Sequence, residues 1–112
     1  MTGMSRLTVL VLDGPGTAHL MLAGELDRTT AAELDSAVTT ALAHPAVERI
    51  VVDVALLGFC DSGGLSALIA AALHAADQHV LLHLDQIRPP LERILRVAKL
   101  DRLLCPPGRS AQ

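Results

Sequence analysis

A chain of 112 residues is long enough for one domain with a sizeable core and leaves little room for a second. Hydrophobic residues make up 51% of it, yet there is one Phe and no Trp or Tyr, so any core is aliphatic, built from Leu, Val, Ile and Ala. A net charge of −3 with acids and bases interspersed excludes the basic footprint of a nucleic-acid binder.

In chain order, Leu7–Leu12 and Thr17–Ala23 read as two strands flanking Asp13-Gly14-Pro15-Gly16, a turn signal that predicts an antiparallel hairpin. Gly24-Glu25-Leu26-Asp27 closes the second strand; Asp27 reads equally as a turn residue or a functional one. Thr30-Ala31-Ala32-Glu33 fits a capping box, with Thr30 as N-cap and Glu33 reaching back. Leu34, Ala37, Val38, Ala41 and Leu42 form the apolar stripe of the helix that follows, which stops before Pro45.

Arg49–Val54 is a short β-branched run suited to a strand buried on both faces. Beyond it, Leu65, Leu68, Ile69, Ala72, Leu73 and Ala76 recur at helical spacing and are expected to face the sheet. Between strand and helix lies Asp61-Ser62-Gly63-Gly64, where two glycines ease the turn and Asp61 or Ser62 can cap the first orphan N–H groups. A hydroxyl at the positive end of a helix dipole marks a place where an anion is tolerated.

His79–Leu84 is the next predicted strand, and Pro89 and Pro90 open a third helix with Leu91, Ile94, Leu95 and Ala98 as its stripe. Leu103–Cys105 reads as a short last strand. Pro106-Pro107-Gly108 ends the ordered chain, giving an expected core of about 6–105 and a flexible tail at 106–112. The order ββαβαβα(β) predicts a single α/β domain over 1–112, with a mixed sheet of four to five strands and helices packed against it.

No run approaches the roughly 20 apolar residues of a membrane span, and Val9–Leu12 is too short for a signal-peptide core. A cytoplasmic protein is expected, with Cys60 and Cys105 as free thiols.

Enzymatic and metal readings of these residues fail. Asp61-Ser62-Gly63-Gly64 matches the serine motif of trypsin-like proteases, but their two-barrel fold is far longer than this chain. Cys60 occupies the first glycine position of a nucleophile elbow, and none of His44, His74, His79 or His83 is tied to Ser62 by a motif. His79 and His83 on one strand would stand about 13 Å apart, too far to share an ion, and read as half-exposed strand residues. The lysine and spacing of a nucleotide loop are absent. Asp53, near the end of its strand, reads as structural. No catalytic residue, metal ligand or cofactor is expected.

With these residues in hand, the chain resembles the STAS family and, within it, the bacterial anti-sigma factor antagonists. Gly24-Glu25-Leu26-Asp27 is similar to the family's Gly-Glu-hydrophobic-Asp, and Asp53 through Phe59-Cys60-Asp61-Ser62-Gly63-Gly64-Leu65 is similar to its Asp-Leu-Ser…Phe-hydrophobic-Asp-Ser-Ser-Gly-Leu signature. Leu95–Leu103 is a looser third match, and the likeness runs from about Leu7 to Cys105.

The resemblance implies a phosphoprotein that regulates transcription through protein–protein contacts. Unphosphorylated, it would bind an anti-sigma factor with serine kinase activity and release the sigma factor. Phosphorylation of Ser62 would switch it off, and a serine phosphatase would reset it. Asp27, Asp61, Gly63 and Gly64 would neighbour the switch, and Ser66, Ala67, Ala70 and Ala71 would form a small-residue docking face on the helix. The protein itself would be a monomer or weak dimer.

The alternative is a STAS subunit of a transporter-associated or lipid-trafficking complex without a phosphorylation switch. Three departures from the family pattern stand out. Gly63 replaces a small side chain, Ala98-Lys99 replaces Thr-Gly so that the third helix is expected to run on, and no C-terminal helix follows Cys105.

Overall fold

A computed structural model describes residues 6–105, so the expectations for the 106–112 tail lie outside the described residues. The elements are β1 (Leu7–Gly14), β2 (Thr17–Leu26), α1 (Ala31–Leu42), β3 (Arg49–Cys60), α2 (Ser62–Asp77), β4 (Leu81–Asp85), α3 (Pro89–Val97) and α4 (Asp101–Leu104). The strands form one four-stranded mixed sheet in the order β1-β2-β3-β4. The hairpin pairs antiparallel from Leu7 opposite Gly24 to Gly14 opposite Thr17, while β2 with β3 and β3 with β4 run parallel. The single α/β domain expected from the element order is the one observed.

Alternation along the strands explains the core. Ala18, Leu20, Leu22 and Leu26 on β2, Ile50, Val52 and Val54 on β3, and Leu82 and Leu84 on β4 all point to the helical side and are buried. Leu34 and Val38 from α1, Leu68 and Ala72 from α2, and Leu95 and Leu104 from the C-terminal helices close over them. The core is aliphatic throughout; the one aromatic residue, Phe59, is half exposed.

Several boundaries differ from the expectation. Strand β3 does not stop at Val54 but runs to Cys60, and β2 runs to Leu26. Two register shifts account for the lengths: twelve residues of β3 lie along ten of β2, with breaks between Met21 and Ala23 and between Gly24 and Glu25. Each break is a bulge that inserts an extra residue into β3 and bends it. Asp53 sits at the first, where its Oδ1 accepts the Ala55 N–H at 2.9 Å, a structural role as anticipated.

Strand β4 begins at Leu81, because His79 adopts φ 63°. The N–H groups of His79 and Val80 return to the carbonyls of Ala76 and Ala75, both at 2.9 Å, which closes α2. Lys99, at φ 61°, closes α3 in the same way, with Leu100 N–H reaching Leu95 O at 2.8 Å. The third helix therefore stops at Val97 without a glycine, and does not run on. Its expected stripe is narrower than the spacing suggests, since Leu91 and Leu95 are buried but Ile94 and Ala98 are exposed. The predicted last strand at Leu103–Cys105 is instead part of the short helix α4, whose Leu104 seals the core.

Two side chains also depart from their expected roles. Thr30 does not cap α1: it adopts helical backbone angles and its hydroxyl turns inward, accepting the Asp27 N–H at 3.0 Å. His83 is buried rather than half exposed, and its Nδ1 has no hydrogen-bond partner among the described residues. Burial, with Arg49 nearby, holds its pKa below the usual histidine value, so it is kept neutral.

Candidate functional site

The turn from β3 into α2 is built by Asp61. Its backbone is extended, its Oδ1 accepts the Gly64 N–H at 2.9 Å, and its carbonyl accepts the Leu65 N–H at 2.8 Å as the helix begins. Asp61, not Ser62, is thus the N-cap. Ser62 is the first helical residue and is exposed. No hydrogen bond to the Ser62 side chain or to the Ser62 and Gly63 N–H groups is present among the described residues, which leaves an uncommitted hydroxyl beside two outward amides of a sixteen-residue helix.

The glycines after Ser62 are dictated by close approach. A Cβ on Gly64 would lie 2.2 Å from the Leu26 carbonyl oxygen and 3.0 Å from Cys60 Sγ. One on Gly63 would lie 2.9 Å from Arg28 N. The start of α2 is therefore pressed onto the end of β2 and onto the loop that follows it, and Gly63 fits that contact rather than merely loosening the helix.

That loop is held by Asp27. Its Oδ1 accepts from Thr29 N–H at 2.8 Å, Thr29 Oγ1 at 2.6 Å and Thr30 N–H at 3.2 Å, and its Oδ2 receives Arg6 Nη2 at 2.7 Å. Arg6 spreads further, to Glu25 Oε1 at 2.7 Å and to the Thr29 hydroxyl. The Thr29 hydroxyl above all, then its N–H and Arg6, hold the Asp27 carboxyl below its usual pKa. A carboxylate so fully occupied shapes the loop that abuts Gly63. The place of Asp27 at the end of Gly24-Glu25-Leu26-Asp27 could be read from sequence, but the Arg6 clasp, made from 21 residues away, could not.

Cys60 stands half-buried on the other side of the turn. Burial, and then the Asp61 carboxylate, push its thiol up to about 11, so it stays protonated and chemically quiet. None of the histidines hydrogen-bonds to Ser62 among the described residues, and no three His, Cys, Asp or Glu side chains there are grouped to hold a metal.

The expected docking face on α2 needs correction. Ser66 and Ala70 are exposed and Ala67 is half-buried, but Ala71 is buried, while Leu73, expected to face the sheet, is 56% exposed. Helix α2 touches α1 and α4 as well as β3 and β4, so its buried arc runs through Gly64, Leu68, Ala71, Ala72 and Ala75. The outward stripe is Ser62, Ser66, Ala70 and Leu73.

A second feature was missed entirely in the sequence. The C-terminal half of β3, from Val54 to Cys60, walls a groove of about 510 Å³ whose other side is Arg88, Pro90, Leu91 and Ile94 at the start of α3. No helix among the described residues is long and apolar enough to cross a membrane.

A family model described as the Mlab STAS domain matches residues 11–105. Among solved structures, an anti-sigma factor antagonist from Mycobacterium paratuberculosis superposes with a TM-score of 0.75 at 24% identity, covering 94% of this chain and 89% of that one. The Bacillus cell fate determinant SpoIIAA, in its phosphorylated form, superposes with a TM-score of 0.68 at 18% identity, covering 93% and 95%. A murine solute carrier anion transporter, Slc26a9, carries the same fold in 16% of its length, with a TM-score of 0.70 and 12% identity over 84% of this chain. At these identities the likeness to the solved structures is one of fold.

Proposed function

This chain belongs to the STAS domain family, and from that premise we propose that it is a cytoplasmic anti-sigma factor antagonist switched by phosphorylation of Ser62. It is a regulator and not an enzyme. Unphosphorylated, it binds an anti-sigma factor that is also its serine kinase, and a serine phosphatase restores the modified form. The observation that carries this reading is the exposed Ser62 hydroxyl at the first position of α2, unbonded among the described residues and set in a turn whose cap is supplied by its neighbour Asp61.

The chemistry of the switch is electrostatic. A phosphate adds about −1.5 to −2 charges. On Ser62 it would meet the N–H groups of Ser62 and Gly63, worth about 0.3–1 kcal/mol at an exposed helix start, and would be opposed by the Asp61 carboxylate. The two effects are of similar size, so the fold survives. A partner packed over Ser62 would instead have to bury the charge without a counter-charge, at a cost of several kcal/mol.

A second reading, a STAS subunit of a transporter-associated or lipid-trafficking complex with Ser62 unmodified, draws support from the anion transporter Slc26a9, which carries the same fold. Incubation with the cognate kinase and ATP, read by intact-mass spectrometry, separates the two. Wild type gains one phosphate and Ser62→Ala gains none; equal labelling of the alanine variant, or none of wild type, sinks the switch.

A further inference from the structure

Strand β4 ends at Asp85, paired with Asp53, while β3 continues to Cys60 with β2 along only one of its sides. Among the described residues, Val54–Cys60 of β3 therefore have no neighbouring strand on that side, and beyond Ala55, whose N–H and C=O are taken by Asp53 Oδ1 and Arg88, the edge is open. Alternate N–H and C=O groups along such an edge point outward, as at the rim of any sheet. The edge is not bare surface: it forms one wall of the groove whose opposite wall is α3. Leu56 is 62% exposed, Phe59 48% and Ile94 44%, three large apolar side chains around one cleft.

Charge in the groove has one sign. Arg88 is the only charged side chain among the lining residues; its guanidinium donates to Ala55 O at 3.4 Å and has no acidic partner among the described residues.

We infer that this groove seats an extended, apolar, acid-bearing peptide segment of a partner protein, which adds as a strand to the open edge of β3 between Leu56 and Phe59. The edge selects a peptide because only another main chain satisfies a row of N–H and C=O groups along its length. The apolar walls select alternate apolar side chains, and Arg88 selects a carboxylate. A fatty acid would satisfy Arg88 and the apolar walls but leave the edge unpaired. A second copy of this chain could offer its own edge strand β1, Leu7–Gly14, which is apolar and carries Asp13, so self-association is one of the outcomes the test must separate.

The seat also bears on regulation, and in this respect the inference rests on the proposed function. Cys60 lines the groove and Ser62 follows two residues later, so a phosphate on Ser62 stands at the groove's end, where it repels an acidic segment.

The test selects phage-displayed random dodecapeptides on the full chain and measures the selected peptides on wild type, Leu56→Glu and Arg88→Ala. Both positions are exposed, and melting curves check that the variants fold. Expected are peptides alternating apolar residues with at least one acid, a tenfold or greater loss of affinity in Leu56→Glu, a smaller loss in Arg88→Ala, and slowed amide exchange across 56–60. Peptides that leave exchange at 56–60 unchanged, failure to select any peptide, or equal affinity for wild type and a folded Leu56→Glu would overturn the seat. So would oleate or self-association protecting the same amides when peptides do not. The same exchange measurement with the cognate kinase separates the two claims. A kinase that binds without slowing 56–60 overturns the groove as its seat and leaves the switch standing. A kinase that does not bind sinks the switch, while the peptide result still decides the groove.

Discussion

Replacing Gly64 by alanine tests the close approach on which the geometry of the turn depends. The new methyl carbon would fall 2.2 Å from Leu26 O and 2.8 Å from Leu26 C, both backbone atoms fixed in β2. Ordinary contact requires the start of α2 to retreat by more than an ångström, which also pulls the Gly64 N–H away from Asp61 Oδ1, now 2.9 Å distant. Overpacking of this kind costs about 1–3 kcal/mol, and a lost N-cap about 1 kcal/mol. Against them stands a gain of up to about 1 kcal/mol from replacing glycine in a helix. The net is a destabilisation of about 1–3 kcal/mol, which for a domain of this size lowers the melting temperature by about 5–20 °C. Thermal unfolding followed by circular dichroism reads it directly. Gly63→Ala should cost less, because its nearest conflict, 2.9 Å from Arg28 N, is with a loop that can give. A Gly64→Ala protein that melts at or above wild type refutes the packing of α2 on β2 described above.

On the same helix, Ala71→Glu should destabilise by several kcal/mol by burying an unpaired carboxylate, whereas Ala70→Glu, on the exposed stripe, should stay within about 0.5 kcal/mol; denaturant unfolding of both checks the corrected face. Ser62→Asp should melt with wild type yet bind the cognate kinase at least tenfold more weakly in calorimetric titration, and unchanged binding would count against the electrostatic switch. His83 is held neutral in the fold, so stability is full above the unfolded histidine pKa of about 6.5 and falls as pH drops below it toward the lowered folded value. Melting curves from pH 8 to 5 should show that fall in wild type and a shallower one in His83→Asn.

The elements that could be read from the sequence are those whose signals are local. The turn residues Gly14-Pro15-Gly16 fix the hairpin, Pro89-Pro90 opens α3, and strict alternation in Ala18, Leu20 and Leu22 marks the buried face of β2. What was hidden depends on competition or on neighbours. The Thr30…Glu33 spacing fits a capping box, but Asp27 already satisfies the Thr30 N–H, so the Thr30 hydroxyl is spent on the Asp27 amide. In α2, small apolar residues occupy every side, and the packing of α1 and α4 against its flanks, which no periodicity records, decides that Ala71 goes in and Leu73 out. His79 and Lys99 take left-handed turns that a glycine would have announced. At the candidate site, Ser62 and its Asp61 cap were legible, because a cap acts over three residues; the Arg6–Asp27 clasp joins residues 21 apart and was not.

The bulges of β3 tie the turn and the groove to one cause. Ten residues of β2 are matched by twelve of β3, so the strand carries two extra residues beyond Asp53 and bends there. A regular strand pairing with β4 over five residues and ending near Val54 would have put the helix start beside Asp85 and left no edge of β3 exposed. The bulged strand instead travels past the end of β4 while keeping its hold on β2 as far as Leu26. It thereby delivers Cys60 and the Asp61 cap to the Arg28 loop, where Gly63 and Gly64 are required, and it leaves Leu56 and Phe59 standing free above α3. Under the proposed switch, the irregularity that sets Ser62 in the open also builds the surface that a partner touching Ser62 would grip next.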